Sequence, residues 1–328
     1  MTMIVVFFGV LDFQPLIAEE VKVKRGNLTL NANLNLPSEK SLSDGVVLML
    51  HGTLAHKDME FMRGLQDMLV ERNIPNLAFN LSLAQDNRYG MFNCAGPHRH
   101  KDTNAVEEIK TWVDFLKARG ATAITILGHS RGGNQVARYV ADNPDRAIKR
   151  VVLISPGTWT PGELRRNYIK NYKKDLLPLL KEAKSLVRGN QGDKLMEGVD
   201  LLYCPNTIVA AKTFVDYYSE SPLLDTPSVI RRIKLPVLAV VGDNDQVVPK
   251  FLEQTYAIKS AKMGVNYGLN RVRFTAPVPV KSFVRGRVVL KEFKEIKNGA
   301  KLTVEVTVEL KDNEKPACVA EQVFLIYE

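Results

Sequence analysis

The chain has 328 residues, 45% of them apolar and 25% charged, with a formal net charge of +9. That composition excludes disordered and fibrous classes and allows one large hydrophobic core plus something smaller. The positive charge is scattered through helices and loops, with no dense basic tract interleaved with aromatics, so no nucleic acid partner is expected.

Met3 to Ile17 (MIVVFFGVLDFQPLI) is nearly all apolar and stops at Ala18, before Glu19, Glu20 and Lys22. The run resembles a secretory h-region, although no Lys or Arg precedes it, Asp12 interrupts it, and Leu16 rather than a small residue stands three positions before a cut after Ala18. Residues 1–20 therefore read as a signal-like segment or as a buried N-terminal strand, and localisation stays open between export (periplasmic) and the cytoplasm. The run is too short to cross a bilayer, so no stable membrane span is expected. Cysteine usage leaves the same choice open: a Cys94–Cys204 disulfide would suit an oxidising compartment, three separate thiols the cytosol.

From Val21 to about Met263 short apolar runs alternate with longer amphipathic ones, the pattern of a sheet with crossover helices on both faces. Leu28 to Leu34 alternates with period two and predicts a half-buried antiparallel strand. Gly45 to Leu50, Asn76 to Phe79, Ala123 to Leu127, Arg150 to Ile154 and Pro236 to Val241 are continuous apolar runs, as in a parallel sheet covered on both sides. Helices are predicted over Asp58 to Arg72, Thr103 to Arg119 and Gly132 to Asn143, the last stopped by Pro144. Gly162 to Gly198 has helical spacing and no strand partner, and reads as part of a helical lid over about 158–220. Its Arg165, Arg166, Lys170, Lys173 and Lys174 either favour acidic substrates or form a solvated face. From Tyr267 onward the pattern is β-rich without helix signals, predicting an antiparallel sheet of about four strands.

The strongest local signal is Gly128-His129-Ser130-Arg131-Gly132, a G-x-S-x-G after a predicted strand and before a predicted helix. A serine on so tight a turn needs small neighbours two positions either side; its hydroxyl then faces a cleft as nucleophile, and the Arg131 backbone N–H points at a developing oxyanion. His51-Gly52-Thr53 follows another apolar strand, where Thr53 is the candidate for the second oxyanion donor. Gly242-Asp243-Asn244-Asp245 follows the strand at Pro236, with Asp245 as candidate triad acid and Asp243 as turn cap.

With these three motifs in this order, residues from about 21 to 262 resemble an α/β-hydrolase of the esterase and lipase type. The resemblance implies a mostly parallel sheet with helices on both faces, a Ser, Asp, His triad in that chain order, and acyl transfer from a small-molecule ester to water with no cofactor and no metal. The departure from the pattern is the histidine. The five histidines are His51, His56, His98, His100 and His129, and none follows Asp245. Without a base the serine oxygen is a poor nucleophile at neutral pH. His98 and His100, in the loop NCAGPHRH beyond the strand at Phe79, are candidates for a substitute base, against the reading of a substrate-contacting or solvated loop.

The run NYGLNRVRFTAPVPVKSFVRGRVVL and the strands after it resemble the C-terminal half of a MaoC-like dehydratase of hot-dog fold. The catalytic residues of that family lie on its earlier half, so hydration chemistry is not carried over. The domain reading is residues 1–20, an α/β-hydrolase domain over 21–263, and a partial hot-dog-like β segment over 264–328, as in a fusion. Lacking the helix that a hot-dog sheet wraps, this segment either finishes the hydrolase sheet's edge or pairs with a second chain as a homo-oligomer. The functional expectation is a serine hydrolase of carboxylic esters with an acyl-enzyme on Ser130, impaired by the missing histidine. The alternative is a non-catalytic relative that binds an acyl ligand or partner.

Overall fold

The structure is a computed structural model and describes residues 19–241, 263–279 and 282–327. β1 (Glu19–Arg25) and β2 (Leu28–Asn35) form an antiparallel pair, Val21 opposite Ala32. The alternation in β2 predicted one solvated face, yet Asn31 and Asn35 are buried along with Leu30 and Ala32. Their amides make this possible by finding partners. Asn31 Nδ2 donates to Asn87 Oδ1 at 3.1 Å and to the Arg88 carbonyl at 2.9 Å, and Asn35 Nδ2 donates to Asn76 Oδ1 at 3.0 Å.

The apolar runs then build β3 (Val46–Leu50), β4 (Asn76–Phe79), β5 (Ile124–His129) and β6 (Ile148–Ile154). Between them lie α1 (Glu60–Glu71), α2 (Asn104–Ala118) and α3 (Arg131–Asp142). Ile109, Trp112, Val113 and Leu116 recur at helical spacing on α2 and are fully buried in one core with Leu48, Leu50, Leu77, Phe79 and Ile126. Each such side chain contributes about 1.5–3 kcal/mol by leaving water.

After β6 the chain leaves the sheet through α4 (Glu163–Tyr172) and α5 (Leu176–Arg188). The helical reading of Gly162 to Gly198 fails at its end. Leu195–Leu201 is β7, paired antiparallel with β8 (Cys204–Ala210). The pairing is non-local in what stabilises it. Val209 forms a parallel bridge with His98, Ala210 N donates to the His98 carbonyl at 2.9 Å, and Cys94 is disulfide-bonded to Cys204. Tertiary contacts with residues more than a hundred positions upstream therefore overrode the local helical spacing. α6 (Ala211–Tyr218) and the short α7 (Thr226–Ile230) return the chain to β9 (Val237–Val240).

The resulting seven-stranded sheet has the order β1-β2-β4-β3-β5-β6-β9. β4, β3, β5, β6 and β9 run parallel and only the β1–β2 end is antiparallel. In this arrangement Leu50 on β3 lies opposite Gly128 on β5, so the segments leaving both strands emerge side by side. That register brings Thr53 and Ser130 together at the carboxyl edge of the sheet, where sites form in open α/β folds.

A second compact unit covers Tyr256–Glu328, the first being Met1–Thr255. Its antiparallel sheet has the order β10-β13-β12-β11, from β10 (Met263–Phe274), β11 (Val284–Ile296), β12 (Gly299–Leu310) and β13 (Cys318–Tyr327). Ile296 pairs with Gly299, leaving a two-residue turn in which Asn298 takes a φ of 63°, a conformation Asn tolerates well. Among the described residues no helix is long and apolar enough to cross a membrane.

Candidate active site

Ser130 joins β5 directly to α3 and holds φ 54° and ψ −125°, a strained backbone for a residue with a Cβ. Its neighbours explain how the bend closes. A Cβ on Gly128 would lie 2.4 Å from the Gly132 carbonyl oxygen, and one on Gly132 would lie 2.2 Å from the His51 carbonyl oxygen. The bend therefore needs glycine at both positions, and its second glycine is where α3 presses on the segment leaving β3. Gly52 meets the serine in the same way, with its missing Cβ position 3.2 Å from Ser130 Cβ.

Ser130, Thr53 and Arg131 share the lining of one cavity of about 300 Å³. Among the described residues neither the Thr53 nor the Arg131 backbone N–H has an acceptor. Arg131 is the first residue of α3, so its N–H has no partner within the helix and carries the positive end of the helix dipole. The Arg131 guanidinium turns away toward Asp102, at 3.2 Å, and its Nε donates to Thr53 Oγ1 at 3.3 Å. Asp102 is fully buried and also accepts from Arg138 at 2.5 Å and Gln135 at 2.9 Å. Burial alone would raise this carboxyl's pKa, but the two guanidiniums outweigh it and hold it below the usual range. Asp102, with partners 29 and 36 residues away, had no local signature in the sequence.

His51 is buried, with Nδ1 bonded to the Gly52 carbonyl at 2.8 Å and Nε2 accepting from Leu81 N at 3.1 Å. Burial, with the Arg88 guanidinium alongside, lowers its pKa to about 3 and keeps the ring neutral. It shapes the loop that carries Thr53. The ring of His129 packs on Phe61 at 4.5 Å.

His98 and His100 are not in a solvated loop: both are buried, and neither lines the cavity of Ser130. His98 Nδ1 bonds His100 Nε2 at 3.1 Å, and His100 Nδ1 bonds the Tyr217 hydroxyl at 2.9 Å. Burial lowers their pKa values to about 4 and about 3, with His98 and Arg88 adding to the effect on His100. The local polarity of NCAGPHRH suggested solvent, whereas the disulfide and the bridge to β8 draw the loop under the lid. Among the described residues no side chain is bonded to Ser130 Oγ. Asp243 and Asp245 lie outside the described residues, as does the Met3 to Ile17 run.

The lid cations do not reach the cavity either. Arg165 pairs with Asp175 at 2.8 Å, Arg166 donates to the Pro161 carbonyl at 3.1 Å, and Lys174 pairs with Asp200 at 2.9 Å. The cavity wall instead comes from aromatic residues of the lid, which the sequence reading did not single out. Their signal was present in α4, where Leu164, Asn167, Tyr168, Asn171 and Tyr172 recur on one helical face and all line the cavity.

A serine on a bend between strand and helix, with one amide donor from the helix start and one from the neighbouring strand's loop, is the construction of one class of α/β enzyme. The family model described as alpha/beta hydrolase fold matches residues 45–265, and the chain belongs to that family. One similar relative is the bifunctional esterase/perhydrolase DCH of Acinetobacter calcoaceticus, 28% identical over 165 residues, covering 46% of this chain and 59% of the relative. The α/β hydrolase GrgF from Penicillium sp. sh18 shares the fold with a TM-score of 0.51, at 16% identity over 73% of this chain and 86% of that one. The C-terminal region matches MaoC-like dehydratases. The 3-hydroxyacyl-thioester dehydratase Z of Mycobacterium tuberculosis is 46% identical over 78 residues, 24% of this chain and 52% of the relative. The chain thus spans about half the length of the curated relatives it matches, and its two regions resemble two different kinds of protein, consistent with a fusion.

Proposed function

We propose that the protein is a serine hydrolase of carboxylic esters, with the acyl-enzyme formed on Ser130 and turnover limited by the lack of a triad histidine. The observation that carries this reading is the strained Ser130 bend on one cavity with the acceptor-free N–H groups of Thr53 and Arg131. Ser130 Oγ bonds to the ester's carbonyl carbon while its proton passes to hydroxide or water in the cavity. The oxyanion that forms lies against the two N–H donors, which costs no reorganisation because they are already fixed and unpaired. The carbonyl re-forms, the C–O bond to the alcohol breaks, and the alkoxide takes a proton as it leaves. Water then attacks the acyl carbon, Ser130 regains its proton, and the carboxylic acid departs. Asp245 is the proposed carboxylate of the site; since no histidine follows it in the sequence, its part in the rate is small.

Reaction with a fluorophosphonate and hydrolysis of p-nitrophenyl acetate test the proposal, with Ser130→Ala as control. The expected result is covalent labelling and slow hydrolysis, both lost in the variant, with a rate that climbs with pH and shows no plateau near neutrality. A plateau with an apparent pKa between 6 and 8 would mean that an imidazole acts as base after all. Absence of labelling would leave the non-catalytic reading, a hydrolase-like protein that binds an acyl ligand.

A further inference from the structure

We propose that the cavity above Ser130 takes an ester carrying an aromatic ring with a hydrogen-bonding substituent, in preference to an ester of an aliphatic chain. The reaction in this proposal rests on the Ser130 reading; the binding preference stands by itself. The chain contains 13 Phe, 10 Tyr and 2 Trp, yet among the described residues no Phe lines the cavity, while Tyr168, Tyr172, Tyr203, Tyr217, Tyr218 and Trp159 do. Among the described residues, aliphatic side chains contribute only Leu164, Leu202 and Leu224. A pocket for an alkyl chain would be lined by Leu, Ile, Val and Phe, whereas this wall is built from aromatics that carry a polar atom.

Most of the phenols are already committed. Tyr168 Oη accepts from Asp200 N at 3.3 Å, Tyr218 Oη accepts from Leu202 N at 3.0 Å, Tyr172 donates to the Leu202 carbonyl, and Tyr217 is bonded to His100. These bonds anchor the hydroxyls in the β7–β8 hairpin and the histidine pair, leaving the rings to meet a ligand. The rings are set at angles that suit aromatic contact: Tyr168 stands edge-on to Tyr172 at 4.9 Å and to Tyr218 at 5.3 Å. An aryl group entering such a set gains offset or edge-to-face contacts worth more than its buried area, which an alkyl chain does not.

Other polar atoms remain unused. Asn167 and Asn171 sit one turn apart at the exposed rim, and their amides have no protein partner among the described residues. The charged groups of the wall are satisfied internally: Arg131 is held by Asp102, Thr53 and the Tyr217 ring at 5.3 Å, and Glu163 accepts from Thr160 N at 2.9 Å. The ligand is therefore neutral, with a hydroxyl or similar group on its ring.

The test uses the full-length Ser130→Ala protein, so that binding is read without turnover. Methyl 4-hydroxybenzoate, methyl 4-methylbenzoate and methyl octanoate have equal heavy-atom counts and are titrated by calorimetry, with quenching of tryptophan fluorescence as second readout. The hydroxybenzoate is expected to bind about tenfold or more tighter than the octanoate, and several-fold tighter than the methylbenzoate. The rim pair Asn167→Leu/Asn171→Leu should narrow the gap between hydroxybenzoate and methylbenzoate, with thermal unfolding unchanged. Equal or tighter binding of the octanoate would overturn the proposal. If the ring preference holds while wild-type protein takes no fluorophosphonate label, the catalytic reading fails and this one survives.

Discussion

Gly132→Ala isolates the contact that joins the serine bend to the oxyanion loop. The added Cβ would lie 2.2 Å from the His51 carbonyl oxygen, 3.0 Å from Leu50 Cγ and 3.1 Å from the Leu50 carbonyl oxygen. Carbon and oxygen in contact sit about 3.3 Å apart at the closest, so α3 and the end of β3 must separate by about 1 Å. Two of the three obstacles are backbone atoms, which cannot rotate away as a flexible side chain would. Overpacking of this kind costs roughly 1–3 kcal/mol, and the upper end is expected here. Because the loop after His51 carries Thr53, the same shift moves one oxyanion donor relative to Ser130. Displacement by about 1 Å can lower the rate of the chemical step about a hundredfold. Gly64→Ala is the control: it adds the same methyl group to the exposed face of α1, where nothing lies within 4 Å. That substitution should stabilise by about 0.5–1 kcal/mol, since Gly is a poor helix former. Urea unfolding followed by tryptophan fluorescence, together with the rate of fluorophosphonate labelling, measures both effects. A Gly132→Ala protein within about 0.5 kcal/mol of wild type and labelled at the wild-type rate would refute the contact argument.

Asp102→Asn should destabilise by about 3–5 kcal/mol, because it leaves the buried Arg138 and the part-buried Arg131 against a neutral amide, and urea unfolding reads the loss directly. Replacing Cys94 and Cys204 together by Ser opens a cross-link with a sequence separation of 110 residues and should remove roughly 2–5 kcal/mol; a denaturation midpoint that does not move would mean the β8 contacts hold that loop unaided. The pH dependence of stability follows from the neutral imidazoles of His51, His98 and His100, whose pKa values fall from 6.5 to about 3, 4 and 3. In the unfolded chain they take up protons below about pH 6.5, so stability is complete above that pH and declines as pH falls toward 4. Each contributes a slope of at most about 1.4 kcal/mol per pH unit. His100→Asn should flatten the slope by up to one such increment, and a wild-type slope near zero between pH 6 and 4.5 would contradict the burial of these rings.

Much of the hydrolase unit was legible locally. Asn76 to Phe79 became a strand with those bounds, and the three predicted helices differ from α1, α2 and α3 by one or two residues at each end. The serine bend was legible because its requirement is local: glycines at 128 and 132 are needed by atoms within a few residues and by one neighbouring strand. What the sequence could not carry was anything decided by distant partners. The first half of β7, up to Gly198, reads as helix until it meets β8, which is tied to Cys94 and His98. The histidines of NCAGPHRH look solvated until the lid closes over them, and Asp102 is one more polar residue until Arg131 and Arg138 converge on it. Outside the β7–β8 hairpin, local spacing thus determined which segments are strands, helices and the bend, since those depend on backbone sterics and periodicity over a few residues. Only the tertiary structure decided which polar groups are buried, paired or left facing the cavity, because desolvation depends on what the rest of the chain packs against them.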